Sequence, residues 1–271
     1  MSKLHIDYSK KIVSQIGKAA VVLPGSSVQV GDILQFPEGK SFFKTAPFGS
    51  FKKITDLSGL KVNYDVFDDD NSPDTYEFKS NDSLDFDFEL NGKGDPGSDI
   101  LPKAEAKVKI SFSKEGAIFF QAIECTTQSL NNIHELENTV MNNESKFVWK
   151  DTYLVTSVTT AKKALVAFSN SKKSELVLGG DVENLNSRNA SQLSLNTKLK
   201  REKLSGNVLF KDWSDDVTIF MDVIRFKKKD FAREKDMSFD SNPAIEENFN
   251  EERIELKALD LKSFLNEENQ L

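Results

Sequence analysis

The stretch Tyr76-Glu77-Phe78-Lys79-Ser80-Asn81-Asp82-Ser83-Leu84-Asp85-Phe86-Asp87-Phe88-Glu89-Leu90 decides the fold class. Its even positions carry Tyr76, Phe78, Leu84, Phe86, Phe88 and Leu90, interrupted by Ser80 and Asp82, and its odd positions are polar throughout. Successive side chains of a strand point to opposite faces, so this is a two-faced ribbon. A second ribbon sets Ala104, Ala106, Val108, Ile110 and Phe112 against Glu105, Lys107, Lys109 and Ser111. The 13 residues between them, Asn91 to Lys103, hold three Gly and two Pro and read as the loop of a long hairpin. Pairing Leu90 with Ala104 would set Asp85 against Lys109, Asp87 against Lys107 and Glu89 against Glu105. The two complementary pairs would contribute roughly 0.2 to 1 kcal/mol each.

One pattern serves two environments. A soluble hairpin covers a core with its apolar face and shows water the charged one. A barrel strand of roughly 9 to 11 residues shows its apolar face to lipid, because in hydrocarbon the backbone must be satisfied by lateral pairing.

The rest of the chain is mostly strand-like, with 21 Phe supplying much of the apolar volume. A helix is expected from Tyr8 to Ile16, ended by Gly17. Strands are expected at Ala20–Leu23 and Val28–Phe36, with a turn at Pro24-Gly25-Ser26-Ser27. A central helix is expected from Thr127 to Asn142 through Leu130, Ile133, Val140 and Met141, with late strands at Gly206–Phe210 and Val217–Phe226. A second strand pair is expected from Ala161–Phe168 and Glu175–Val182, although Ala164-Leu165-Val166-Ala167-Phe168 is apolar without alternation. The expected fold is α+β: a twisted, mainly antiparallel central sheet with a few flanking helices and a short C-terminal helix packed on the body.

Charge divides the chain. Of 36 basic and 43 acidic residues, the last 36 positions hold three and ten, so residues 1–235 balance and the whole excess of −7 lies in 236–271. Asp236 to Pro243 reads as a linker. Beyond it Ile254, Ala258, Leu261 and Leu265 recur at helical spacing, widened by Leu256, Leu259 and Phe264. The expected domains are therefore a body, 1–235, and an acidic tail, 236–271.

One Cys (Cys125) and two His (His5, His134) leave no internal disulfide, no Cys/His zinc quartet and no motif for nucleophilic catalysis. No enzymatic activity, cofactor or metal is expected. Three Asn-x-Ser sequons, at Asn81, Asn143 and Asn189, are read as chance, and the Gly31-Asp32 turn lacks the ending of a phosphate loop. Lys162-Lys163 and Lys172-Lys173 are candidate contacts to anionic lipid, at about 1 kcal/mol per residue near a surface. Richer clusters lie at Lys198 to Lys203 and Arg225 to Lys229. The net negative charge and the absence of a recognition motif argue against nucleic acid. With no apolar run long enough for a spanning helix and no apolar signal segment, a soluble cytoplasmic form is expected.

The layout Val21-Val22-Leu23-Pro24, Gly31-Asp32-Ile33-Leu34, Phe48-Gly49-Ser50-Phe51, a long hairpin, a central helix, Thr152-Tyr153-Leu154-Val155-Thr156-Ser157-Val158 and a last strand Val217–Phe226 resembles the bacterial gasdermins. The similarity covers most of residues 8–229 as an ordered arrangement of short apolar strings. It implies a pore-forming cell-death protein of anti-phage defence, held inactive by its C-terminal tail. An activating protease would cut near Arg233, Lys235, Asp236 or Asp240, and the body would then assemble as a homo-oligomer on the inner membrane. By position, Tyr76–Phe112 would insert as a first hairpin, with Leu84, Phe86, Phe88, Leu90, Ala106, Val108, Ile110 and Phe112 facing lipid. Ala161–Val182 would be the second, and Ile254, Ala258, Leu261 and Leu265 would anchor the tail. The family usually carries a lipidated Cys near the N-terminus, whereas positions 2 to 4 here are Ser2, Lys3 and Leu4. The competing class is a soluble α+β binding or scaffold module with an acidic docking tail, and a carboxylate-based hydrolase is a weaker third.

Overall fold

The computed structural model describes residues 2–21, 27–37, 39, 46–80, 83–91, 100–101, 104–142, 151–182, 185–186, 200–213, 216–228 and 254–268. In chain order the elements are α1 (Ser2–Ile16), β1 (Ala19–Ala20), β2 (Asp32–Gln35), β3 (Lys52–Asp56), β4 (Val66–Lys79), β5 (Leu84–Asn91), β6 (Ile100–Leu101), β7 (Ala104–Phe112) and β8 (Ile118–Leu130). They continue with α2 (Ile133–Asn142), β9 (Tyr153–Ser169), β10 (Ser174–Val182), β11 (Leu185–Asn186), β12 (Lys200–Ser205), β13 (Val208–Trp213), β14 (Val217–Lys228), β15 (Ile254–Ala258) and α3 (Leu261–Glu268). The architecture is the α+β class expected, mainly antiparallel strands with three short helices among the described residues.

A nine-stranded sheet is built around β9, which pairs with β14 and β13 along one side and with β2 and β8 along the other. β3 lies outside β2 and β4 outside β8. A four-stranded sheet runs β12-β10-β7-β5, and β6 pairs with β11. The unbroken apolar run of β9 follows from this position, because both faces of the large sheet are covered there. Ala164, Val166 and Phe168 pack with Tyr8 and Ile12 of α1 on one side, while Leu165 and Ala167 pack with Ile110 and Leu176 of the small sheet on the other. β8 divides in the same way, Ile118 and Phe120 toward α1 and Phe119 toward the small sheet. A third core joins Tyr153, Leu154 and Val223 of the large sheet to Leu136 of α2 and to Leu261 and Phe264 of α3.

α1 starts at Ser2 rather than Tyr8 and ends as expected. Tyr8 and Ile12 are buried with Ile16 packed beside them, one face at i, i+4, i+8. Gly17 adopts φ +81° while its N–H donates to Val13 O at 2.9 Å, a left-handed helix cap that suits glycine. Pro24-Gly25-Ser26 of the expected turn lie outside the described residues.

Four expectations are corrected. The first hairpin forms, but Leu90 pairs with Ala106 rather than Ala104. The two-residue slip keeps every side chain on its face, matches Asp87 with Lys109 and Glu89 with Lys107, and removes the opposition of Glu89 and Glu105. The central helix begins at Ile133, not Thr127, because Thr126 to Ser129 continue β8 against Ser157 to Thr160. Ala161–Val182 is not a hairpin: β9 pairs with β13 and β10 with β12, in different sheets. The tail is not one helix, for Ile254 and Ala258 lie in strand β15 while Leu261 and Leu265 lie on α3.

Candidate functional site

Two long hairpins cross from the large sheet into the small one. The first has β4 and β8 as its base and β5 and β7 as its tip; the second has β9 and β13 as its base and β10 and β12 as its tip. The seam where the two hairpins meet keeps one register throughout. It runs from Asn186↔Ile100 through Val182↔Ala104 and Ser174↔Phe112 to Ile118↔Phe168 and Ser129↔Ser157, with no residue gained or lost. The outer seams do not share this property. Between Lys79↔Phe119 and Leu84↔Phe112 one strand has two residues more than the other, and between Val208↔Ser169 and Glu175↔Ser205 the excess is three.

The crease between the sheets is made by serines and two left-handed glycines. Ser169 and Ser174 are fully buried, their hydroxyls 3.1 Å apart, and the Ser169 hydroxyl donates to Ser171 O at 2.6 Å. Ser171 Oγ accepts from Asn207 N at 3.1 Å, and Ser80 Oγ from Ile118 N at 3.3 Å. Hydroxyls thus take over where the ladder is interrupted, a substitution open to serine because its short side chain reaches its own backbone neighbours. Gly116 and Gly206 both have φ +78°. A Cβ at Gly206 would run into Ser174. Gly206→Ala is therefore expected to lower stability by about 1 to 2 kcal/mol through the left-handed backbone alone, read as a reduced thermal midpoint of the full-length protein.

Beyond the crease the two-faced pattern is realised. Val108, Ile110, Phe112, Leu176 and Leu178 are buried against Phe119, Leu165 and Ala167 of the large sheet. Phe86 packs edge-on to Phe119 with ring centroids 5.4 Å apart. The opposite face is solvated, with Lys109–Glu175 at 2.9 Å and Lys107–Glu202 at 3.2 Å. Phe88, Leu90 and Ala106 occupy register positions on the same strands.

The tail engages the body twice. β15 adds to the edge of β14, with Ile224↔Ala258, Phe226↔Leu256, Lys227↔Glu255 and Lys228↔Ile254. α3 then buries Leu261 and Phe264, the latter edge-on to Phe48 at 6.4 Å, and Leu265 packs beside them. Leu265 and Lys262 also line a cleft of about 820 Å³ shared with Lys10 and Lys11 of α1 and with Glu115 and Asn170 of the crease. The tail helix and the bend of both hairpins thus face one cleft. The sequence reading missed Leu136, and it named Phe264 only as widening the stripe.

The basic doublets do not form one patch. Lys162 pairs with Glu124 at 3.1 Å on β9, whereas Lys172 and Lys173 lie exposed in the turn at the crease. Ala164–Ser169 separates them by roughly 20 Å of extended chain. The candidate cleavage residues Arg233, Lys235, Asp236 and Asp240 lie outside the described residues. His5 and His134 sit on different helices, and among the described residues no group of three or more His, Cys, Asp or Glu could hold a metal ion.

Cys125 is buried on β8 opposite Ala161, and burial, helped by Asp74, pushes its thiol up to about 12. Tyr8, whose hydroxyl is buried without a hydrogen-bond partner, is likewise raised by burial. Raised acids contribute stability that is complete below their unfolded values, roughly 8.5 for Cys and 10 for Tyr, and lost as pH climbs toward the folded ones. The thermal midpoint is therefore expected to fall above about pH 9. At pH 8 Cys125 is expected to resist iodoacetamide until the protein unfolds.

No protein-family model matches this chain, and no curated protein matches it. Among the solved structures similar to it is the cryo-EM structure of the Gasdermin A3 membrane pore, which aligns over 82% of this chain and 90% of its own, at 10% identity and a TM-score of 0.34.

Proposed function

We propose that the chain is an autoinhibited pore-forming protein whose folded-back hairpins straighten into a membrane. The observation that carries this reading is the single register of the central seam. The interrupted segments there, 113–116 and 170–173, are of equal length, so straightening adds ladder pairs without slipping those already made. β7 and β10 are nine residues each, close to the roughly 9 to 11 that a tilted strand needs to cross a bilayer. In the folded state the apolar face of the tip is buried on the large sheet, and in the extended state it would meet lipid.

The resemblance of the sequence layout to the bacterial gasdermins supports the same reading and supplies its setting. The inactive protein is cytoplasmic; a protease cuts near Arg233, Lys235, Asp236 or Asp240; the body, 1–235, assembles on anionic lipid of the inner membrane and leaks it, as an anti-phage defence. Cutting leaves a body of balanced charge and removes ten acidic and three basic residues if it falls before Asp236. It thereby lowers repulsion from an anionic leaflet. The protein acts by assembly and not by catalysis.

The test uses the full chain with a sequence-specific protease site inserted between residues 236 and 250. Cutting in the presence of dye-filled vesicles containing anionic phospholipid should start release, and the uncut protein should be inert. A cut protein that binds nothing and releases nothing removes the reading; one that instead loses a soluble partner identifies the scaffold alternative.

A further inference from the structure

The large sheet has two unlike edges. On one, β14 is covered by β1 at Phe220 and Met221 and by β15 from Ile224 to Lys228; on the other, β3 and β4 have no second neighbour among the described residues. The second edge carries three large apolar residues in the open: Ile54 at 36%, Val66 at 44% and Phe67 at 59% exposure. Val66 and Phe67 are consecutive on a strand, so they face opposite ways, and both faces of that end are uncovered.

The two edges also match in direction and level. Each step β3–β2–β9–β14–β15 is antiparallel, so β3 and β15 run the same way, and β4 does too through β8 and β9. One row of partners crosses the sheet, Thr55↔Ile33↔Leu154↔Ile224↔Ala258, with β3 and β15 at its two ends. A copy displaced sideways along that row sets its β3 where β15 lay. Along the chain, the open edge carries Lys52 and Lys53 against Asp56, Asp65, Asp68 and Asp69, with Lys53 already paired to Asp32 and Asp56. The end of β14 carries Arg225, already paired to Asp151, with Lys227 and Lys228, and the row brings Lys52 and Lys53 toward them, so the match between the edges lies in strand direction and level rather than in charge.

We infer that β15 stands in for a neighbouring subunit: the β14 edge it covers is the docking edge for the β3–β4 edge of a second copy of this chain. This rests on the pore reading above. Unpaired strand edges recruit strands, and a capped edge facing an open one makes a head-to-tail contact, which propagates into a ring where the rotation closes. The acidic character of the β3–β4 edge disfavours an anionic membrane as its occupant.

The test uses the full chain with the inserted protease site, cut on the same vesicles. Ile54→Asp and Phe67→Asp alter exposed side chains, so the uncut variants should melt like the parent. After cutting they should sediment with vesicles yet form no large oligomers, and release should fall roughly tenfold or more. Because such a copy still offers an intact β14 edge, it should also stop growth when mixed into the parent, suppressing release at a minority fraction. Independently, Ile54→Cys combined with Arg225→Cys, which that row sets opposite each other, should give a disulfide-linked ladder after cutting and none before. If the cut parent leaks while both aspartate variants leak equally and no ladder appears, the neighbour does not dock at this edge, although the pore reading stands. If the cut parent does not leak, both fall.

Discussion

A full-length variant carrying Leu261→Asp and Phe264→Asp is expected to release vesicle contents without any cut. Leu261 is 5% and Phe264 9% exposed, both within the core that joins α3 to the large sheet. Truncating one buried Phe costs about 3 to 5 kcal/mol, and a desolvated carboxylate costs more. A shift of about 5.5 kcal/mol is enough to turn a two-state population from 1:99 to 99:1. With α3 expelled, β15 would still pair with β14, but the tail would have lost the buried apolar contacts of Leu261 and Phe264. The control is Lys262→Asp, whose side chain is exposed on the same helix and which should remain inert. Dye release and the trypsin sensitivity of the tail read the outcome. Should the double variant stay as inert and as compact as the parent, α3 does not hold the protein closed.

The second large effect is a contrast between the faces of the first hairpin. Phe86→Lys is expected to abolish release by the cut protein, while Asp85→Lys leaves it near the parent level. A cation facing lipid costs roughly 2 to 4 kcal/mol at the bilayer midplane, and one facing the lumen costs little. Asp85 lies opposite Ser111, so its replacement creates no like-charge pair, whereas a lysine at Asp87 would oppose Lys109. Phe86 also touches Phe119 in the folded form, so melting of the uncut variant must first show that it folds. The informative species folds, binds vesicles and oligomerises but releases no dye. Equal release by both variants would place this hairpin outside the membrane.

Several features were legible in the sequence because they depend on nearest neighbours along the chain. The alternation at Tyr76–Leu90 and Ala104–Phe112 marks two-faced strands wherever the chain places them, since period 2 is a property of extended backbone. The end of α1 at Gly17 is a local backbone requirement, and the concentration of negative charge in 236–271 is arithmetic. Three other features were decided only by tertiary structure. In the tail, Ile254, Leu256 and Ala258 fit period 2 as well as a helical stripe, and the free edge of β14 selects the strand by satisfying its backbone. Ser174–Val182 pairs with Lys200–Ser205 and Ala104–Phe112 and not with Ala161–Phe168, because buried Ser169 and Ser174 bend the chain between sheets; isolated serines give no periodic signal. The apolar run Ala164–Phe168 gave no alternation because α1 covers one face and the folded-back tip the other, and burial on both faces erases the contrast that periodicity reads.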